Sequence, residues 1–88
     1  MINQRVRDLA LSDTGFVFDP YSGATFTVNP TGLCILRALA EGLARPDVVR
    51  RLRESFDAPP AEVEADLDDF LHLLGQQGVL PQDFHLDT

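Results

Sequence analysis

Residues 15–32, GFVFDPYSGATFTVNPTG, hold two short apolar runs, a tight turn and a helix start. Phe16-Val17-Phe18 reads as one strand, and Ala24 to Val28 as the next. Between them, Asp19-Pro20-Tyr21-Ser22-Gly23 is turn chemistry. Taking Tyr21, Ser22 and Gly23 as a three-residue loop puts Gly23 in the left-handed position that closes a bulged hairpin. Phe18 then opposes Phe26, and Phe16 opposes Val28. Directly opposed residues share a face of the sheet. This register predicts a core-facing set of Phe16, Phe18, Phe26 and Val28, with Val17, Asp19, Thr25 and Thr27 on the other face. A slip by one residue would mix the sets and expose phenylalanine.

Outward from the hairpin, Arg5 to Leu11 reads as a first strand, with imperfect alternation of Val6, Leu9 and Leu11. Ser12-Asp13-Thr14-Gly15 is the turn that follows it. On the other side, Asn29-Pro30 is a helix start: Asn caps, and Pro fits the first helical position, where its missing N–H is no loss. That helix is predicted to about Ala40, with Leu33, Leu36, Leu39 and Ala40 on one stripe, Ile35 at its border and Gly42 ending it. A second helix is predicted from about Pro46 to Phe56, with Val48, Val49, Leu52 and Phe56 inward and Arg45, Arg50, Arg51 and Arg53 mostly outward. Pro59-Pro60 opens a third. Its Val63, Leu67, Phe70, Leu71 and Leu74 follow i, i+4, i+7, i+8, i+11, a core stripe. Gly78 stops it, Val79-Leu80 returns as an apolar anchor, and residues 81–88 read as a polar tail. The expected architecture is α+β: a three-stranded antiparallel sheet followed by three helices, in one winged helix-turn-helix-like domain over residues 1–80.

The totals narrow the function classes. The chain has 88 residues, 44% of them apolar, a composition of ordinary globular domains. No run approaches the roughly 18 consecutive apolar residues that span a bilayer. The first residues lack a signal-peptide core, and one cysteine forms no internal disulfide, so a cytoplasmic location is expected. The net charge of −7 is unevenly spread. Every basic residue is an arginine at or before Arg53, and beyond Asp57 there are only acids.

That asymmetry argues against a nucleic-acid reader. The helix that would enter a groove carries Glu62, Glu64, Asp66, Asp68 and Asp69 and no base, so it would repel phosphates. Cys34, His72 and His85 share no zinc-ligand spacing, so no metal is expected. No nucleophile–base motif or Gly-rich phosphate loop is present, and the acids of the third helix read as a solvated face. Neither catalysis nor a cofactor is expected. The third strand is different. ATFTV has neither charge nor proline inside it, although exposed edges usually carry one or the other. Either the edge is short, harmless or covered, or it accepts a strand from a peptide partner.

These features together resemble the PqqD-like family, the pyrroloquinoline quinone biosynthesis protein D family, whose fold is also called the RiPP recognition element. The likeness rests on Asn29-Pro30-Thr31, Ile35-Leu36, Leu39, Glu41-Gly42, Val48 to Leu52, Phe56, the Asp66-to-Phe70 spacing and Gly78-Val79-Leu80, over roughly residues 12–80. The resemblance implies a non-enzymatic module that binds the leader of a ribosomally made precursor peptide and presents it to a modifying enzyme, often a radical SAM protein. The leader adds as a strand to the third strand, here Ala24, Thr25, Phe26, Thr27 and Val28. The implied groove wall is the third helix, where Asp66, Phe70, Leu73 and Gln77 lie along one line. Asp66 and Phe70 read equally well as structural. Leu73 is the strongest candidate, because it lies off the core stripe and would otherwise be an exposed leucine. Members dedicated to the quinone usually carry a "PEG" type pair before the third strand and a "cDG" after the first helix. Here the turn reads PYSG, and Glu41-Gly42 matches only loosely, which points to a relative of unassigned pathway rather than the quinone protein itself. Two rival readings stand beside it: a module that homodimerises through the same edge, and a DNA-binding regulator.

Overall fold

The computed structural model describes residues 4–80. The elements in chain order are α1 (Gln4–Arg7), β1 (Ala10–Leu11), β2 (Phe16–Phe18), β3 (Thr25–Thr27), α2 (Pro30–Ala40), α3 (Arg45–Ser55) and α4 (Pro60–Gln76). The sheet order is β1-β2-β3, and both pairings are antiparallel. The expected sheet followed by three helices is therefore present, preceded by one helical turn. The predicted tail at 81–88, with His85, lies outside the described residues.

The first strand is shorter than its sequence suggested. Val6 and Leu9 are both buried, and Leu9 N–H donates to Val6 C=O at 3.3 Å. Two inward residues three apart fit a helical turn and not a pleat. Only Ala10 and Leu11 go on to pair, with Phe18 and Val17.

The hairpin register differs by one residue from the predicted one. Phe16 pairs with Thr27, Val17 with Phe26 and Phe18 with Thr25. Val17 is fully buried, whereas Phe16 and Phe18 are 48% and 39% exposed. The inward row is thus Leu11, Val17 and Phe26, and the two phenylalanines of β2 face outward. The cause is the loop. Asp19 N–H donates to Ala24 C=O at 2.9 Å, and Gly23 N–H donates to Asp19 C=O at 2.8 Å. The turn therefore contains four residues, Pro20 to Gly23, and not three. Asp19 is 2% exposed, on the inward side. Its carboxylate accepts the Tyr21 N–H and the Ser22 hydroxyl, each at 3.0 Å. An acid can lie inward when the turn supplies its hydrogen bonds. Gly15 continues the ladder, its C=O accepting Val28 N–H at 2.8 Å. It has φ 88, and a Cβ there would collide with the Val28 carbonyl oxygen.

The helices follow their sequence signals. Asn29 caps α2, its Oδ1 accepting Gly32 N–H at 2.8 Å, and Pro30 occupies the first turn. Ile35, Leu36, Ala38 and Leu39 of α2 are fully buried and form the centre of the core. Val48 and Leu52 of α3 and Val63, Leu67 and Leu74 of α4 close around them. At the end of α4, Val79 N–H donates to Leu74 C=O at 2.9 Å, which turns Val79 and Leu80 back into the core. α4 reaches α3 through Arg45, which pairs with Glu64 at 2.8 Å and Asp68 at 2.9 Å.

Replacing Gly15 by Ala is expected to lower unfolding free energy by about 2–3 kcal/mol, since it combines left-handed backbone strain with a backbone collision. Asn29→Ala should cost about 1 kcal/mol through the lost cap. Urea denaturation of both variants checks the pair, and equal midpoints would contradict the ladder geometry at Gly15.

Candidate peptide-binding edge and groove

β3 is the outer strand of the sheet, so one row of its main-chain groups has no partner strand. Which residues own that row follows from the register. In an antiparallel pair, hydrogen-bonded and non-hydrogen-bonded positions alternate. Asp19·Ala24 and Gly15·Val28 are hydrogen-bonded positions. Val17·Phe26, midway between them, is therefore another. Thr25 and Thr27 fall at the alternate positions, so their N–H and C=O groups point to the open edge. Their side chains face outward with Phe16 and Phe18, while Phe26 faces the helices.

Beside this edge lies a cavity of about 230 Å³, lined by Asn29, Thr31, Gly32, Ile35, Asp66, Asp69, Phe70 and Leu73. It is formed where the start of α2 meets the middle of α4. Gly32 makes that approach possible. A Cβ there would lie 2.7 Å from the Phe70 ring and 3.1 Å from Val28 Cβ, so Phe70 packs over a glycine next to the end of β3. Phe70 is half-buried and Ile35 fully buried, giving an apolar floor. Leu73 is 40% exposed at the rim.

The acids of α4 fall into two groups. Glu64 and Asp68 are bound to Arg45 on the α3 side. Burial opposes the Arg45 charge, but the hydrogen bonds it donates to Asp68 and Glu64, with the attraction of both carboxylates, outweigh it and raise its pKa. Asp66 and Asp69 point to the groove side, and no cation among the described residues pairs with either. The groove is apolar at its floor and anionic at its rim.

Asp66, Phe70 and Leu73, singled out from sequence, thus meet at one cavity. Gln77 does not line it. It is the exposed C-terminal cap of α4, its N–H donating to Leu73 C=O. Sequence reasoning missed Asn29, Thr31, Gly32, Ile35 and Asp69 as lining residues. Asn29 and Ile35 already had sufficient readings as a cap and as a core residue. The i, i+3, i+7 spacing of Asp66, Asp69 and Leu73 was the available signal for Asp69.

A larger cleft, about 370 Å³, lies between α2, α3 and the 13–15 turn. Its arginines are matched internally: Arg37 pairs with Asp13 at 2.6 Å, and Arg51 is bidentate to Glu41 at 2.6 and 3.1 Å. Burial pushes the Cys34 thiol up, against the opposing hydrogen bond with Ser55, so it is not an activated nucleophile. No His, Cys, Asp and Glu group suited to a metal occurs among the described residues. No described helix is long and apolar enough to cross a membrane.

The sequence profile of the family described as Coenzyme PQQ synthesis protein D (PqqD) matches residues 14–80, from the turn before β2 to the end of the core. The chain belongs to the PqqD family. Family members are non-catalytic accessories of pyrroloquinoline quinone biosynthesis that interact with a precursor peptide and a biosynthetic enzyme. No curated protein matches the chain, and no solved structure does. The match covers β2, β3, α2, α3 and α4, hence all of the edge and groove, and omits α1 and β1.

Amide hydrogen exchange should show an odd–even pattern along one strand. Phe26 and Val28 are expected to be protected, and Thr25 and Thr27 to exchange at least tenfold faster. Uniform protection of 25–28 would contradict the assigned edge.

Proposed function

We propose that this PqqD family protein binds the leader of a ribosomally synthesised precursor peptide as an added strand on β3, and presents it to a modifying enzyme of the radical SAM type. The observation that carries the reading is the open main-chain edge at Thr25 and Thr27 beside a cavity lined by Phe70, Leu73, Asp66 and Asp69. An added strand takes its affinity from main-chain bonds and its selectivity from alternate side chains. Residues of the leader that face the helices reach the Phe70 and Ile35 floor and the Leu73 rim. A Lys or Arg among them meets Asp66 and Asp69. The leader loses chain entropy on ordering, so moderate affinity and ready release are expected.

Self-pairing of two β3 edges across a twofold axis uses the same open groups and is the second reading. Sedimentation velocity over a range of concentrations separates the two. A tight dimer that peptide cannot dissociate would favour self-pairing.

The decisive variant is Thr27→Pro. Proline removes an N–H that points away from β2, so the native ladder keeps its bonds, and proline is tolerated on edge strands. With a synthetic extended peptide that alternates apolar and Lys or Arg residues as the probe, affinity should fall at least tenfold while the melting temperature changes little. Unchanged affinity would exclude strand addition at this edge. Leu73→Ala should weaken binding several-fold through lost apolar contact. Asp66→Asn with Asp69→Asn should weaken binding of a cationic leader and flatten its dependence on salt. Amide shift mapping reads all three.

A further inference from the structure

We propose that the outward face of the sheet is the docking surface for the modifying enzyme, and that the bound leader forms part of that surface. The inference rests on the strand-addition reading and extends it to the second partner.

Phe16 and Phe18 sit on the central strand with about half and two-fifths of their surface in water. Ala10, Phe18 and Thr25 form one cross-strand row, and Phe16 and Thr27 the next. Neither row contains a charged residue, although charged residues make up 24% of the chain. Other exposed surfaces are heavily charged: Arg50 and Arg53 on α3, and Glu62, Asp66, Asp68 and Asp69 on α4. Phenylalanine has no polar end to keep wet, unlike tyrosine or tryptophan, so two of them on a flat uncharged face favour burial by another protein.

Two features select the occupant. A second copy of this chain would bring a net charge of −7 against −7, which opposes self-association over this face. The face is also continuous with the β3 edge, because Thr25 and Thr27 belong to both. A strand added at that edge places its residues opposite Thr25 and Thr27 in the same two rows. The row Ala10–Phe18–Thr25 then gains a fourth member supplied by the leader. Leader side chains alternate between the α4 groove and this outer face. One set anchors the peptide, and the other lies where a protein covering Phe16 and Phe18 touches it.

The consequence is thermodynamic coupling. An enzyme that covers the composite face binds the leader-loaded module more tightly than the empty one. By linkage, the enzyme raises the module's affinity for leader by the same factor. Leader recognition and enzyme recruitment thereby become one event without any change of shape in the module.

The test uses the full chain with a synthetic precursor leader peptide and the radical SAM enzyme that modifies that precursor. Affinity of the module for the enzyme is measured by calorimetry with and without saturating peptide. The wild-type chain should bind the enzyme at least tenfold more tightly with peptide present. The double variant Phe16→Ser, Phe18→Ser should lose that gain, while its affinity for peptide alone stays within twofold of wild type. A double variant that keeps the full gain overturns the inference. A wild-type chain that self-associates through Phe16 and Phe18 overturns it in favour of a second copy. If peptide fails to bind the wild-type chain at all, the edge reading falls and this inference with it. Cross-saturation from the enzyme to the Phe16 and Phe18 ring protons of the wild-type chain needs no variant. Transfer to these rings supports the docking face, and its absence in a formed ternary complex overturns it.

Discussion

The pairing of Asp19 with Ala24 governs the sheet. The Asp19 carboxylate is satisfied inside its own turn by the Tyr21 amide and the Ser22 hydroxyl, so an acid can occupy an inward position. That placement makes the loop four residues long and fixes the parity of every pair that follows. One parity sets three properties together. It sends Val17 and Phe26 inward, leaves Phe16 and Phe18 in water, and directs the main-chain groups of Thr25 and Thr27 to the open edge. None of the three can change without the others, because side-chain direction and hydrogen-bond phase are coupled along a strand.

The helices complete what the hairpin begins. Phe70 and Val28 both close on Gly32, so the middle of α4 comes near the end of β3 with a narrow cavity between it and the start of α2. Arg45 then sorts the acids of α4. Its pairs with Glu64 and Asp68 involve carboxylates that are half or more exposed, and such pairs contribute little to stability. Their larger effect is on the field. They offset one of the two charges on that side of the helix and leave Asp66 and Asp69 without a cation at the groove rim.

The helices were legible in the sequence because their signals are redundant. Asn29-Pro30, the leucine stripe of α2 and the apolar series from Val63 to Leu74 each point to the same answer. The hairpin was legible as an element but not in register. A three-residue strand offers one alternation only, and the reading turned on treating phenylalanine as inward and aspartate as outward. Side-chain bonding within the turn reversed both. Ahead of β1, Val6 and Leu9 have the spacing of a helical turn, so the predicted first strand shortens to Ala10 and Leu11. In the groove, Leu73 was visible because a leucine off the core stripe needs another partner. Asn29 and Ile35 were not, because a residue already explained as cap or core sends no second signal. The open edge was visible from its lack of charge, but which of its residues own the outward groups depends on the register.

The split of the α4 acids has a kinetic side. Asp66 and Asp69 stand on a chain of net charge −7, and their field acts before any contact forms. A cationic leader of the proposed kind would be drawn toward the groove over a screening length of about 10 Å at 0.1 M ionic strength. In the proposed complex, main-chain bonds at Thr25 and Thr27 and contact with Phe70 and Leu73 would hold the seated strand, and these respond weakly to salt. Raising ionic strength would then lengthen the search for the groove and leave the lifetime of the seated strand nearly unchanged.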